Sequence, residues 1–180
     1  FLRLIMGCKT TKKHWFNQIK KTHGNRCEMV WKFIVILSIQ IHSDMITHDF
    51  QFRVTYPDTD RMGTMHHANY VKYCEEARWE LFRSIGVPYS SVETAGVMCP
   101  VIKMHFNFLK ITRYDELLTI RTTLKEIKGV RMWFEYKFYN EKNELINKAE
   151  TELAFVGLND WKPCKAPDFL LEAVEKAQNK

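Results

Sequence analysis

The run "YPDTDRMGTMHHANYVKYCEEARWE", residues 56–80, decides how the rest of the chain is read, because a polar loop turns inside it into a helix. Tyr70, Tyr73, Cys74, Ala77, Leu81 and Ile85 recur at spacings of three and four, which puts them on one helical face. Gly86-Val87-Pro88 then stops the helix. Val71 and Phe82 widen the apolar face, so burial over much of the circumference is expected. The loop before it, 57–68, holds Asp58, Asp60, Gly63, His66 and His67.

Outward from this helix the pattern changes to a period of two. Phe50, Phe52, Val54 and Tyr56 alternate with polar residues up to Pro57, which predicts a half-buried strand from residue 49. Alternation returns over 101–109, 117–125 and 130–139, with Gly129 marking a hairpin turn. A turn at 140–144 leads to a fifth strand, "LINKAETELAFVGL", and 168–178 reads as a short amphipathic helix after Pro163 and Pro167. One strand, one long helix and four strands joined by tight turns predict an α+β domain: a five-stranded antiparallel sheet wrapped around one central helix, the hotdog fold.

Composition supports a packed domain, with 46% apolar and 13% aromatic residues in 180. The net charge of +6 suggests nucleic acid only until its location is noted. Residues 1–44 carry eight Lys/Arg against Glu28 and Asp44, and the remaining 19 basic and 19 acidic residues balance. A neutral body argues against nucleic acid as a partner. The apolar run Phe33–Ile41 falls short of the roughly 20 residues of a membrane-spanning helix. Five widely spaced cysteines without a CxxC pair indicate neither a disulfide framework nor a zinc site, and suit a reducing, cytoplasmic setting. Residues 1–44 differ so sharply from the rest that Met45 is expected to be the native start, with the domain over 45–180.

Within the loop, each polar residue has a structural and a chemical reading. Asp58 and Asp60 are ordinary turn and capping residues by type. A carboxylate just before a helix is also placed to attack a carbonyl carbon or to deprotonate water. The helix start near His67 offers unpaired N–H groups that stabilise a developing oxyanion. An imidazole invites an acid/base role, but His66 and His67 lack a carboxylate at orienting spacing, and neighbouring histidines without a third ligand do not make a metal site. Glu75 and Arg78, at i and i+3, read as a structural pair.

The pattern Y-x-D-T-D-x-x-G-x-x-x-H-A-N-Y-x-x-Y-x-E-x-A-R, over Tyr56–Arg78, resembles the signature of the 4-hydroxybenzoyl-CoA thioesterase family, including the Tol-Pal-associated acyl-CoA thioesterases. The resemblance covers 47–165 in the order of elements. It implies hydrolysis of an acyl-coenzyme A thioester, without a cofactor beyond the coenzyme A of the substrate, in sites shared by two subunits of a homodimer. It implies Asp60 as the catalytic carboxylate and the backbone amide of His67 as the group that polarises the carbonyl. Gly63, His66, Asn69 and Tyr70 lie in the same motif and are expected at the substrate. Glu76 is where another hotdog branch carries its carboxylate. Lys128 and Arg131 flank the Gly129 turn, as Lys110 and Arg113 flank another loop, and are expected to hold nucleotide phosphates. His66 departs from the aromatic residue of many relatives, as Thr64-Met65 depart from small aliphatics, which bears on acyl preference. Leu117, Trp133 and Tyr139 add apolar surface on the second sheet face and point to a homotetramer. A hotdog dehydratase or hydratase using His67 and Glu76, and a non-catalytic acyl-CoA sensor with a basic arm, are the competing readings.

Overall fold

The computed structural model describes residues 45–179; the expectation for 1–44 lies outside the described residues. Strand β1 is Thr47–Arg53, helix α1 His67–Ser84, helix α2 Tyr89–Thr94 and strand β2 Val97–Met98. Strands β3 Val101–Phe108, β4 Leu117–Lys128, β5 Arg131–Tyr139, β6 Leu145–Ala154 and β7 Val156–Gly157 follow, and helix α3 is Asp168–Gln178. The main sheet is antiparallel throughout, in the order β1-β4-β5-β6-β3. This is the α+β hotdog arrangement that the periodicity predicts.

Alternation in β5 sends Met132, Phe134, Tyr136 and Phe138 to the concave face, where all four are fully buried. Burial of each such side chain contributes roughly 1.5–3 kcal/mol, so this strand anchors the core. Helix α1 lies on that face. It buries Tyr70, Tyr73, Cys74, Ala77, Leu81 and Phe82. Tyr73 stacks on Phe52 of β1 at 3.6 Å between centroids, and Phe82 meets Phe134 edge-on at 5.8 Å. Lys72, Glu75, Trp79 and Arg83 remain exposed, so within one protomer the helix is covered on one side and not around most of its circumference.

Three other expectations change. The last strand breaks at Phe155, whose N–H donates to Val130 O, and its tail β7 pairs with β2 in a separate two-stranded sheet. Helix α2 was not expected; its six residues hold one buried apolar side chain, Val92, too few to show a period. Strand β1 ends at Arg53, because Tyr56–Asp58 forms a 3₁₀ turn around Pro57 and turns Tyr56 outward. The convex sheet face is laced by ion pairs, including the two-point contact of Arg121 with Asp49 at 2.8 and 2.7 Å. The Asp49 carboxyl is held below its ordinary range chiefly by the hydrogen bond from Arg121. Leu117, Trp133 and Tyr139 are only half-buried there, and Trp133 lines a groove of ≈ 380 Å³ with Lys103, Lys125, Glu150 and Glu152.

Candidate active site

The loop between β1 and α1 is closed by its own backbone. Asp60 N donates to Thr64 O at 3.0 Å, Gly63 N to Asp60 O at 2.9 Å and His66 N to Asp58 O at 2.8 Å. A second tie holds it to the segment 109–116, through Met65 N to Thr112 O at 2.8 Å and a bridge between Thr64 and Arg113. Gly63 sits at φ +70 with open space around the position of a Cβ. It is there for the left-handed turn that brings residue 64 back against residue 60.

The two aspartates have separate lives. Asp58 is buried, and one of its carboxylate oxygens, Oδ2, accepts from Thr55 N at 2.8 Å, Thr55 Oγ1 at 2.6 Å and Tyr73 Oη at 2.7 Å. Burial pushes its carboxyl up, but the donors from Thr55 and Tyr73 outweigh that and leave it below the ordinary value. The Tyr73 hydroxyl is pushed up by burial and by this bond. Asp58 is therefore a structural clasp between the turn and α1. Asp60 is half-exposed, and its Oδ1 accepts from Met62 N at 2.8 Å. Among the described residues no donor reaches its Oδ2.

His66 is the N-cap of α1, its Nδ1 accepting from Ala68 N at 3.3 Å. His66 thus caps the helix and His67 is its first residue. The His67 amide, first in the helix, has no acceptor among the described residues. This is the free N–H that an N-terminal turn leaves over, at the positive end of the helix dipole. Asn69 Nδ2 donates to Asp58 O at 2.8 Å and so supports the turn. Tyr70 Oη bonds Thr112 Oγ1 at 3.1 Å, while its ring lies edge-on to Phe108 and Phe138.

Asp60, Gly63, His66, His67, Asn69 and Tyr70 thus share one loop-helix junction. The other candidates lie apart from it. Glu76 is half-buried and 3.9 Å from Lys72 Nζ. It stands nine residues beyond His67, about 13 Å along the axis and on the opposite side of the helix. Lys128, 4.0 Å from Glu126, and Arg131, paired with Glu152, sit at the other end of β4 and β5 from the junction. The twelve residues of β4 span roughly 40 Å of that separation.

Arg113 was expected as a phosphate contact, but sequence reasoning missed Arg61 beside it and the burial of Arg78. Arg61 and Arg113, on the two loops tied at Thr64, are both exposed and are the arginines without a carboxylate partner among the described residues. Their pairing partners, or the lack of them, are long-range facts that spacing does not carry. Arg78, expected to pair with Glu75, does so at 4.0 Å, but it is only 2% exposed and also donates to Tyr136 Oη at 3.2 Å. Among the described residues, no group of three His, Cys, Asp or Glu is arranged to hold a metal ion, and no helix is long and apolar enough to cross a membrane.

Comparison with known proteins places the fold in a family. The family model of the Thioesterase-like superfamily matches residues 54–174. The acyl-CoA thioester hydrolase YbgC of Escherichia coli is 32% identical over 119 residues, which span 66% of this chain and 89% of that protein. YneP of Bacillus subtilis is 32% identical over 113 residues, 63% of this chain and 82% of that protein. The structure of DHNA-CoA thioesterase from Staphylococcus aureus superposes with a TM-score of 0.70 at 30% identity, covering 75% of this chain and 93% of that one. The match begins just after β1 and takes in the Asp60 turn, α1 and the strands β2–β7 that follow, and on it the chain belongs to the Thioesterase-like superfamily.

Proposed function

We propose that this protein hydrolyses an acyl-coenzyme A thioester to the free acid and coenzyme A. One observation carries the reading: the turn 59–66, closed on itself, leads into α1 with a carboxylate oxygen of Asp60 and the N–H of His67 both without a hydrogen-bond partner among the described residues. The names of relatives such as the YbgC acyl-CoA thioester hydrolase support the substrate class.

The His67 N–H donates to the thioester oxygen and takes up the charge that grows there as the carbonyl carbon becomes tetrahedral. Asp60 acts in one of two ways. As nucleophile it adds to the carbonyl carbon, coenzyme A leaves as thiolate and is protonated, and water then cleaves the mixed anhydride to acid and free Asp60. As base it takes a proton from the water that attacks, and that proton passes to the leaving sulfur. Both routes end in the same products and need no metal or further cofactor. Gly63, His66 and Asn69 hold the geometry of the turn, Tyr70 bounds the acyl side, and Arg61 and Arg113 offer charge for the phosphates at its mouth.

We further propose a homodimer with shared sites. Strand β3 is a sheet edge, and its side chains Ile102, Met104 and Phe108 are 48, 39 and 52% exposed. An eight-residue edge with exposed apolar side chains is completed by a second copy, two β3 strands running antiparallel across a twofold axis. That pairing brings the partner's β4–β5 turn, with Lys128 and Arg131, to the same end of the joined sheet as His67, which restores their phosphate role across the interface. The half-buried Leu117, Trp133 and Tyr139 support pairing of dimers into a tetramer. Among the described residues Cys74, Cys99 and Cys164 are free, which suits a reducing compartment, and we assign the protein to the cytoplasm on that ground.

Thiol release from a panel of acyl-CoAs tests the activity. Release supports the hydrolase; a change in enoyl absorbance without thiol would support a dehydratase, and binding without turnover a sensor. The opposed positions of His67 and Glu76 on α1 weigh against the dehydratase within one protomer. For assembly, sedimentation of the wild type should give a dimer or a tetramer. Met104→Lys should lower the mass and take activity with it, and a fully active monomer would refute the shared site.

A further inference from the structure

We propose that Asn147 sets acyl selectivity, its side-chain amide hydrogen-bonding an oxygen substituent on the acyl group; this rests on the thioesterase reading above. Asn147, on β6, is 0% exposed, and neither its amide oxygen nor its amide nitrogen meets a partner among the described residues. A primary amide offers two donors and an acceptor, and leaving such groups unpaired in a core costs more than an apolar residue of the same shape would. A partner that is not part of the folded protomer therefore belongs there.

Its position says which partner. Asn147 is in register with Phe138 on one side and Phe108 on the other. Tyr70 spans that row from above, its ring 5.2 Å from Phe108 and 5.3 Å from Phe138. Phe138 is fully buried but Phe108, at the sheet edge, is 52% exposed in the protomer, so Asn147 lies one strand spacing, about 4.8 Å, inside the apolar rim at the seam of the proposed dimer, where the shared site would lie. Tyr70 follows His67 by three residues, about 4.5 Å along the helix. An acyl group with its carbonyl oxygen on the His67 amide, passing inward beside Phe108 under Tyr70, brings the atoms just beyond the carbonyl to Asn147. The walls of that path are aromatic, and the amide is the group able to distinguish an acyl chain with a hydroxyl from one without. Arg78 Nε and Thr122 Oγ1, also unpaired, lie farther along α1 and β4; Arg78 is eleven residues from His67, about 16 Å, beyond a short acyl group.

The test compares kcat/KM for acyl-CoAs in hydroxylated and plain pairs: the hydroxybenzoyl isomers against benzoyl, and 3-hydroxyhexanoyl against hexanoyl. Wild type should favour at least one hydroxylated member about tenfold or more, since a site built to bond a hydroxyl rejects the analogue that lacks it. Asn147→Leu should bring that ratio to within about threefold, by loss on the hydroxylated member, with an unchanged or higher Tm in the absence of substrate. Equal rates on both members in the wild type would overturn the inference, as would an unchanged ratio in Asn147→Leu with a lowered Tm, the result expected if the amide holds a structural water. The wild-type ratio decides alone if the variant does not fold. Absence of thiol release from every acyl-CoA would instead bring down the thioesterase reading itself.

Discussion

Asp58 and Asp60 are the same residue type two positions apart in one turn, and the fold places them in opposite surroundings. Asp58 is buried against Tyr73 and spends one oxygen on three donors. Asp60 gives one oxygen to a local amide and keeps the other free at the surface. On the proposed mechanism, the reactive carboxylate stands next to a rigid one. The clasp at Asp58 fixes the turn on α1, and Asp60 follows in the same turn with one carboxylate oxygen free of hydrogen bonds among the described residues.

Stability measurements sharpen this contrast. Asp58→Asn should lose about 2–4 kcal/mol in urea unfolding, because a buried acceptor of three bonds becomes a mixed donor and acceptor facing Thr55 N–H. The pH dependence carries the same sign. The Asp58 carboxyl is lower in the folded protein than its ordinary 3.8, so its contribution is present above that value and is lost as pH falls through the folded value. Wild type should therefore destabilise below about pH 4, and Asp58→Asn less steeply over the same acid range. Gly63→Ala should cost about 1–2 kcal/mol, because the alanine would be forced to the left-handed φ of +70. His66→Ala should cost about 0.5–1 kcal/mol through the lost cap, with the unfolding midpoint as readout. Asp60→Asn should change stability least, by about 0.5 kcal/mol or less, as befits a half-exposed side chain with one local bond.

Much of this was open to reading. The period of three and four from Tyr70 to Ile85 marks α1, and strict alternation in 131–139 marks the central strand, because burial on one face imposes those spacings. The turn at Gly129 follows from its positive φ of 62. What spacing could not tell was which aspartate is the clasp, since that depends on Tyr73, fifteen residues later in the chain. Nor could it single out Asn147. The register shift between Phe138 and Tyr139 opposite Leu145–Asn147 buries Ile146 and Asn147 together, so that counting inward from Ile146 puts the amide on the wrong face. The buried Arg78 escaped for a related reason: its neighbour Glu75 satisfies a local rule, while its burial is set by Tyr136, fifty-eight residues away.

The claim that Asp60 performs the chemistry while Asp58 performs the folding rests on one measurement above the others: free-thiol release from an acyl-CoA that the wild type hydrolyses, by Asp60→Asn at matched folded concentration. The account predicts a loss of at least about a hundredfold in kcat with the unfolding midpoint nearly unmoved. Undiminished release by the folded Asp60→Asn protein would contradict it.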